Sequence, residues 1–142
     1  MKNCGTSDES CYSLIVGGSA AKIILSDGVM IYFATLDANC SMYLGSGSLA
    51  NGCAFADVDI NGNKKPNIGG KDIFSFWITK NGFVPYGTPK QKANDSASDP
   101  VSFARCEQDH GGRGCAAWVI YNENMDYLHC DGLSWTGKTK CD

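Results

Sequence analysis

The chain has no long apolar run, no basic stripe and almost no histidine. No stretch approaches the roughly 20 apolar residues of a membrane-spanning helix. Residues 1 to 12 are mostly polar, so they do not read as a signal peptide either. Twelve basic residues stand against 15 acidic ones, for a net charge of −3 without any block of one sign. That excludes the basic surface on which nucleic-acid binding rests. No G-x-S-x-G occurs, so there is no nucleophile elbow. The two histidines, His110 in a glycine-rich loop and His129 before a cysteine, suit surface positions better than a catalytic triad. No C-x-x-C occurs, and no two cysteines are as close as zinc sites usually require. There is no internal repeat and no linker-like break. The 142 residues therefore fit one domain, 1–142, long enough to bury roughly 70% of the surface of the unfolded chain.

What the chain does have is cysteine and glycine. The eight cysteines are Cys4, Cys11, Cys40, Cys53, Cys106, Cys115, Cys130 and Cys141. An even count with these spacings reads as a disulfide framework, which places the protein outside the cytoplasm. It also leaves no spare thiolate for cysteine–histidine catalysis. Eight cysteines pair in too many ways for spacing to fix the map. Nearest neighbours, Cys4–Cys11, Cys40–Cys53, Cys106–Cys115 and Cys130–Cys141, give one scheme, and Cys115–Cys130 competes with it. Disulfides call for export, so an export segment is expected upstream of Met1. Seventeen glycines and 19% charged residues suit a loop-rich β protein rather than a helical bundle.

The strand signals concentrate in the middle of the chain. Lys22 to Leu25, a turn at Ser26-Asp27-Gly28 and Val29 to Leu36 predict a hairpin. The stretch from Cys53 to Gly87 organises the rest: a strand over Ala54 to Ile60, a turn through Asp59 to Asn63, and a Pro66–Gly70 loop. A strand over Ile73 to Thr79, a Lys80-Asn81-Gly82 turn and a short strand over Phe83 to Tyr86 complete it. Residues 41 to 52 read as a loop, and Thr88 to Pro100 as an exposed, mobile one. Val101 to Arg105 fits a short strand or a helical turn. Cys115 to Tyr121, CAAWVIY, fits a buried strand or the start of a helix. Asn122 to Leu128 fits a helical turn capped by Asn122, and Cys130 and Cys141 would pin the tail around Trp135. These elements predict an α+β, mostly β fold, an antiparallel sheet with irregular disulfide-stapled loops.

The run Asp57-x-Asp59-x-Asn61-Gly62-Asn63 matches the first half of a calcium loop, with oxygen-bearing side chains at alternate positions and glycine at the sixth. The second half departs from the pattern, because Ile68 stands where the bidentate glutamate would be. Asp72 is the nearest later carboxylate, and Lys64, Lys65 and Lys71 lower the local negative potential. Two readings stand side by side. In one, Asp57, Asp59, Asn61 and Asp72 hold calcium. In the other, Asn61-Gly62 turns a hairpin and the aspartates bond nearby backbone N–H groups. Asp57 and Asp59 as a glycosidase pair would make a small hydrolase, a weaker reading. The aromatic residues read as core, with Trp77 or Trp135 as the alternative of a carbohydrate platform.

Two segments, DINGNKKPNIGGKDIFSFWITKNGFVPYG (Asp59 to Gly87) and CAAWVIYNENMDYLHC (Cys115 to Cys130), resemble the soluble heads of bacterial prepilin-type proteins. These are the type IV pilins and the type II secretion pseudopilins. The resemblance covers about the C-terminal two-thirds of the chain. It implies a pilin-like head on an antiparallel sheet, structural or adhesive and not an enzyme, on a filament at the cell surface. It further implies an N-terminal apolar helix that anchors the subunit in the inner membrane before assembly and then joins it to other pilin or pseudopilin subunits. That helix would precede Met1, and without it the head is expected to be monomeric or weakly associating. Some pseudopilin heads bind calcium, a role that would fall here on Asp57, Asp59, Asn61 and Asp72. The alternative is a secreted disulfide-rich binding module, glycan-binding for example.

Overall fold

A computed structural model describes residues 3–4, 20–62, 64–89, 91, 106, 112 and 114–142. Seven strands and one helix are assigned among them: β1 (Asn3–Cys4), β2 (Ala20–Ile24), β3 (Met30–Thr35), β4 (Gly52–Asp59), β5 (Asn67–Ile68), β6 (Ile73–Thr79), β7 (Gly82–Pro85) and α1 (Cys115–Asn122). The main sheet has five antiparallel strands in the order β2-β3-β4-β6-β7. Strands β1 and β5 form a separate two-stranded pair.

The sheet follows from turn chemistry and period-2 patterning. Gly28, at φ 93°, makes the β2–β3 turn, and Asp27 Oδ1 accepts the Val29 N–H within it. Gly82, at φ 118°, turns β6 into β7. Both hairpins lie where predicted, with ends shifted by a residue or two. Between β4 and β6 the Asn61-Gly62 turn does not join the strands by itself; the Pro66–Gly70 loop belongs to the connection as well, as expected. Asp59 pairs with Ile73, so all of residues 60–72 form the connection.

Paired residues across a sheet share a face, as do alternate residues along a strand. One face carries Phe55, Trp77 and Val84, which pack with Leu44, Leu49 and Tyr86 into the first core cluster. Its rings meet edge to face at 5.1 Å (Phe55–Trp77) and 5.8 Å (Phe55–Tyr86), and stack at 5.4 Å (Trp77–Tyr86). Asp57, Asp59, Ile73 and Ser75 continue the same face. The other face is apolar across three strands: Ile31 and Phe33, Val58, then Phe74, Phe76 and Ile78. Apolar residues on both faces explain why these strands read as almost unbroken hydrophobic runs. The loop before β4 contains a 3-10 turn, Gly47–Leu49, which delivers Leu49 to the core.

The segment Cys115 to Tyr121 is helical. The helix ends where Glu123 adopts a left-handed conformation at φ 54°, and its N–H bonds to the Val119 carbonyl. Asn122 is thus the last helical residue and caps no following turn. The 3-10 turn Asp126–Leu128 is organised instead by Asn124, whose Oδ1 accepts from Asp126 N and from Trp118 Nε1. A second core cluster joins Cys106, Cys115, Trp118, Tyr127 and Leu133.

Three disulfides are present among the described residues: Cys40–Cys53, Cys106–Cys115 and Cys130–Cys141. They follow the nearest-neighbour scheme and displace the Cys115–Cys130 alternative. The fourth expected bridge, Cys4–Cys11, lies outside the described residues, as do Val101 to Arg105 and most of Thr88 to Pro100. Within that last stretch Gln91 is fully buried, and its Oε1 accepts the Gly87 N–H, so it is not part of an exposed loop. Three bridges point to an oxidising, extracellular environment. No helix among the described residues is long and apolar enough to cross a membrane.

Candidate functional site

The acidic connection between β4 and β6 folds back on itself through its own polar groups. Asp57 and Asp59 lie on strand β4, not on the loop, and they are 2% and 0% exposed. Ser75 Oγ donates to Asp57 Oδ1 at 2.6 Å from the neighbouring strand. Asp59 Oδ1 accepts the Asn61 N–H at 3.1 Å. Asp72 Oδ2 accepts the Ile68 N–H at 3.2 Å, and Asn61 Nδ2 donates to the Pro66 carbonyl at 3.4 Å. Asn67 sits at the centre of the loop. With its side-chain nitrogen turned inward it donates to the Lys64 carbonyl at 2.7 Å and the Gly62 carbonyl at 3.2 Å.

The four residues expected to hold calcium are therefore close in the fold but directed at different partners. Asp57 serves the sheet, Asp59 and Asp72 tie opposite ends of the loop, and Asn61 bonds across it. Among the described residues no group of three or more His, Cys, Asp or Glu side chains could hold a metal ion. Asp59, Asn61 and Asp72 bond to nearby backbone, and Asp57 to the Ser75 hydroxyl. Asn63 and His110 lie outside the described residues. His129 is exposed, at the end of the 3-10 turn.

Sequence reasoning missed the seam that joins this loop to the C-terminal lobe. A Cβ at Gly70 would lie 2.5 Å from Cys115 Sγ, and one at Gly112 would lie 2.0 Å from the Gly69 carbonyl oxygen. At Gly87 it would meet the Gly114 carbonyl oxygen at 2.2 Å. Backbone thus packs directly on backbone. Across the seam Tyr127 Oη donates to the Gly70 carbonyl, and the Ala117 N–H donates to the Tyr86 carbonyl at 3.0 Å. Burial pushes the Tyr127 phenol well above its usual range, so it stays protonated and donates at any physiological pH. The signal was present in Gly69-Gly70, Gly87 and Gly111-Gly112, but nothing local says that these glycines meet.

The two tryptophans proposed as platforms differ in their surroundings. Trp77 is buried in the first core cluster and offers no surface. Trp135 is half-buried against Trp118 at 5.1 Å, with the exposed Tyr121 ring 6.2 Å away. The tail that carries it is pinned, as expected, by the Cys130–Cys141 bridge. Asn124 Nδ2 donates to the Thr139 carbonyl, and the Cys141 N–H to Asp126 Oδ2, holding it further.

Comparison of the chain with family models, curated proteins and solved structures finds no match.

Proposed function

We propose that this chain is the extracytoplasmic head of a filament subunit of the type IV pilin or type II secretion pseudopilin kind, with a structural or adhesive role. The observation that carries the reading is the seam. The two segments whose sequence resembles pilin heads, Asp59 to Gly87 and Cys115 to Cys130, are far apart in the chain. They pack against each other through Gly70, Cys115, Tyr86, Ala117 and Tyr127. Together they make one unit of sheet, loop and helix, held by buried backbone contacts. Such a unit suits a subunit that must keep its shape under load outside the cell.

The test uses the native gene in its own cells. About 20 apolar residues after a short basic leader should be encoded upstream of Met1. Antibody against the head should label filaments or envelope structures. A freely secreted protein with no such segment overturns the reading.

One observation favours a second reading, a secreted binding module. Tyr121 on α1 and Trp135 on the disulfide-pinned tail present adjacent rings, the amphipathic surface on which sugars stack. A free secreted chain whose glycan binding disappears in Trp135→Ala would establish it.

A further inference from the structure

Among the described residues, strand β2 is an open edge of the main sheet. Ala21, Lys22, Ile23, Ile24 and Leu25 are all exposed, with Ile23, Ile24 and Leu25 at 45%, 59% and 43%. Three large aliphatic residues in a row on an open edge are unusual, because such an edge is a template for another strand.

The hydrogen-bond parity of the ladder says which backbone groups are open. The Leu25 N–H donates to the Val29 carbonyl at 2.9 Å, which makes Leu25–Val29 a bonded position. In an antiparallel ladder bonded pairs alternate with non-bonded ones. With β2 and β3 in the register Ile24–Met30, Ile23 and Ala21 therefore bond to Ile31 and Phe33. The N–H and C=O groups of Ala20, Lys22 and Ile24 point away from the sheet. The next ladder agrees: the Leu36 N–H bonds to the Cys53 carbonyl, which turns Met30, Tyr32 and Ala34 toward β4 and leaves Ile31 and Phe33 for β2.

We propose that β2 is a self-pairing edge: two copies of the chain join their sheets by antiparallel β2–β2 pairing about a twofold axis at Ile23. In this register Lys22 of each copy lies opposite Ile24 of the other, and each such pair exchanges both backbone bonds through groups that are open among the described residues. The two Ile23 residues meet at a non-bonded position, where side chains approach most closely. Small Ala21 lies opposite large Leu25. The lysine stem lies along Ile24 while its ammonium stays in water, near the Tyr32 ring that it already faces at 5.3 Å.

The register centred on Lys22 would set two ammonium groups directly opposite each other, which is unfavourable. The centre at Ile23 avoids this and leaves only aliphatic contacts on the axis. The self-pair closes two open edges with one symmetric contact. Five residues a side fall well short of the roughly 1,200 Å² of the smallest standard interfaces. The dimer is therefore weak in dilute solution and gains from any arrangement that holds copies side by side. The proposal rests on the edge geometry and not on the filament reading.

Sedimentation of the chain from micromolar to millimolar concentration tests it, with amide hydrogen exchange followed by NMR. The weight-average mass should climb from the monomer value toward twice that value, and the amides of Lys22 and Ile24 should slow their exchange in step. Ile24→Pro deletes only an outward N–H, so its far-UV spectrum should match the wild type while its mass stays monomeric. Ile23→Lys, which places two charges on the axis, should also remain monomeric. A monomer at millimolar concentration overturns the proposal, and so does a dimer that survives both substitutions without protection at Lys22 and Ile24. A chain that stays monomeric but binds an added extended peptide along β2 likewise overturns self-pairing in favour of a foreign strand.

Discussion

Gly87 and Gly112 occupy positions that no other residue can fill. Their φ angles are 89° and 68°, and a side chain would run into the backbone of Gly114 or Gly69. Gly28 and Gly132 have similar angles, 93° and 76°, yet a Cβ at either meets nothing within 4 Å. The pairs separate two costs. Alanine at Gly28 or Gly132 should lose about 1–2 kcal/mol, from left-handed strain alone. Alanine at Gly87 or Gly112 must also push apart a pair of packed backbones and should lose about 3 kcal/mol or more. Urea denaturation of the four variants checks this, and equal losses would show that the seam yields freely. Asp37 gives a prediction of a different kind. Its carboxylate accepts the Ser41 hydroxyl at 2.5 Å and the N–H groups of Ser41 and Asn39 at 2.8 and 2.9 Å. These bonds, the Ser41 hydroxyl first, hold its pKa below the usual carboxylate value. The folded value is the lower one, so the stabilisation is complete above about pH 3.9 and is lost as pH falls through the folded value. Asp37→Asn should therefore flatten the acid limb of the stability profile in that window and leave neutral pH slopes unchanged. An unaltered acid limb would mean that the bonds contribute nothing.

The β4–β6 connection shows what an element contributes that its residues do not announce. Asp57 and Asp59 suggested a calcium loop because alternate acidic positions are common to such loops and to one face of a strand. Both aspartates lie on the strand here: register with β6 sets Asp57 beside Ser75, and both are engaged by protein groups. Thermal melts in millimolar calcium and in chelator are expected to coincide for the wild type. Asp59→Ala should lower both by the same amount, since it removes a buried acceptor from the Asn61 N–H. A calcium-dependent rise in the wild-type melt that Asp59→Ala abolishes would restore the ion. The hairpins were legible because alternation and Gly-bearing turns are local, as at Gly28 and Gly82. CAAWVIY was ambiguous because a short apolar run has no period by which to choose. It is helical here, with Cys115 tethered to Cys106, Ala116 and Ala117 buried, and Trp118 reaching Asn124. The seam was not legible, because it brings Tyr127 to Gly70 across 57 residues, and no local pattern carries that distance. The disulfide pairs were legible only as one scheme among others, since spacing does not say which loops close.

At the scale of the whole molecule, the bridges carry a large share of the stability. Those seen span sequence separations of 13, 9 and 11 residues, and loops of this size are each worth about 3 kcal/mol through the entropy they remove from the unfolded chain. Three of them sum to about 9 kcal/mol, within the roughly 5–15 kcal/mol that holds a typical domain together. The bridges also sit where the fold needs them. Cys40–Cys53 ties the end of the β3 region to β4, Cys106–Cys115 fixes the start of α1 at the seam, and Cys130–Cys141 closes the tail. The reduced chain should thus be largely unfolded in conditions where the oxidised chain is fully native. Intact mass without reduction should fall eight hydrogens below that of the reduced chain, six for the bridges seen and two for the remaining cysteines, Cys4 and Cys11. Near-UV circular dichroism should collapse on adding reductant and return on reoxidation. Thiols that react under denaturing, non-reducing conditions would sink the fully oxidised framework, and a native near-UV spectrum in the reduced chain would show that sheet and seam hold without it.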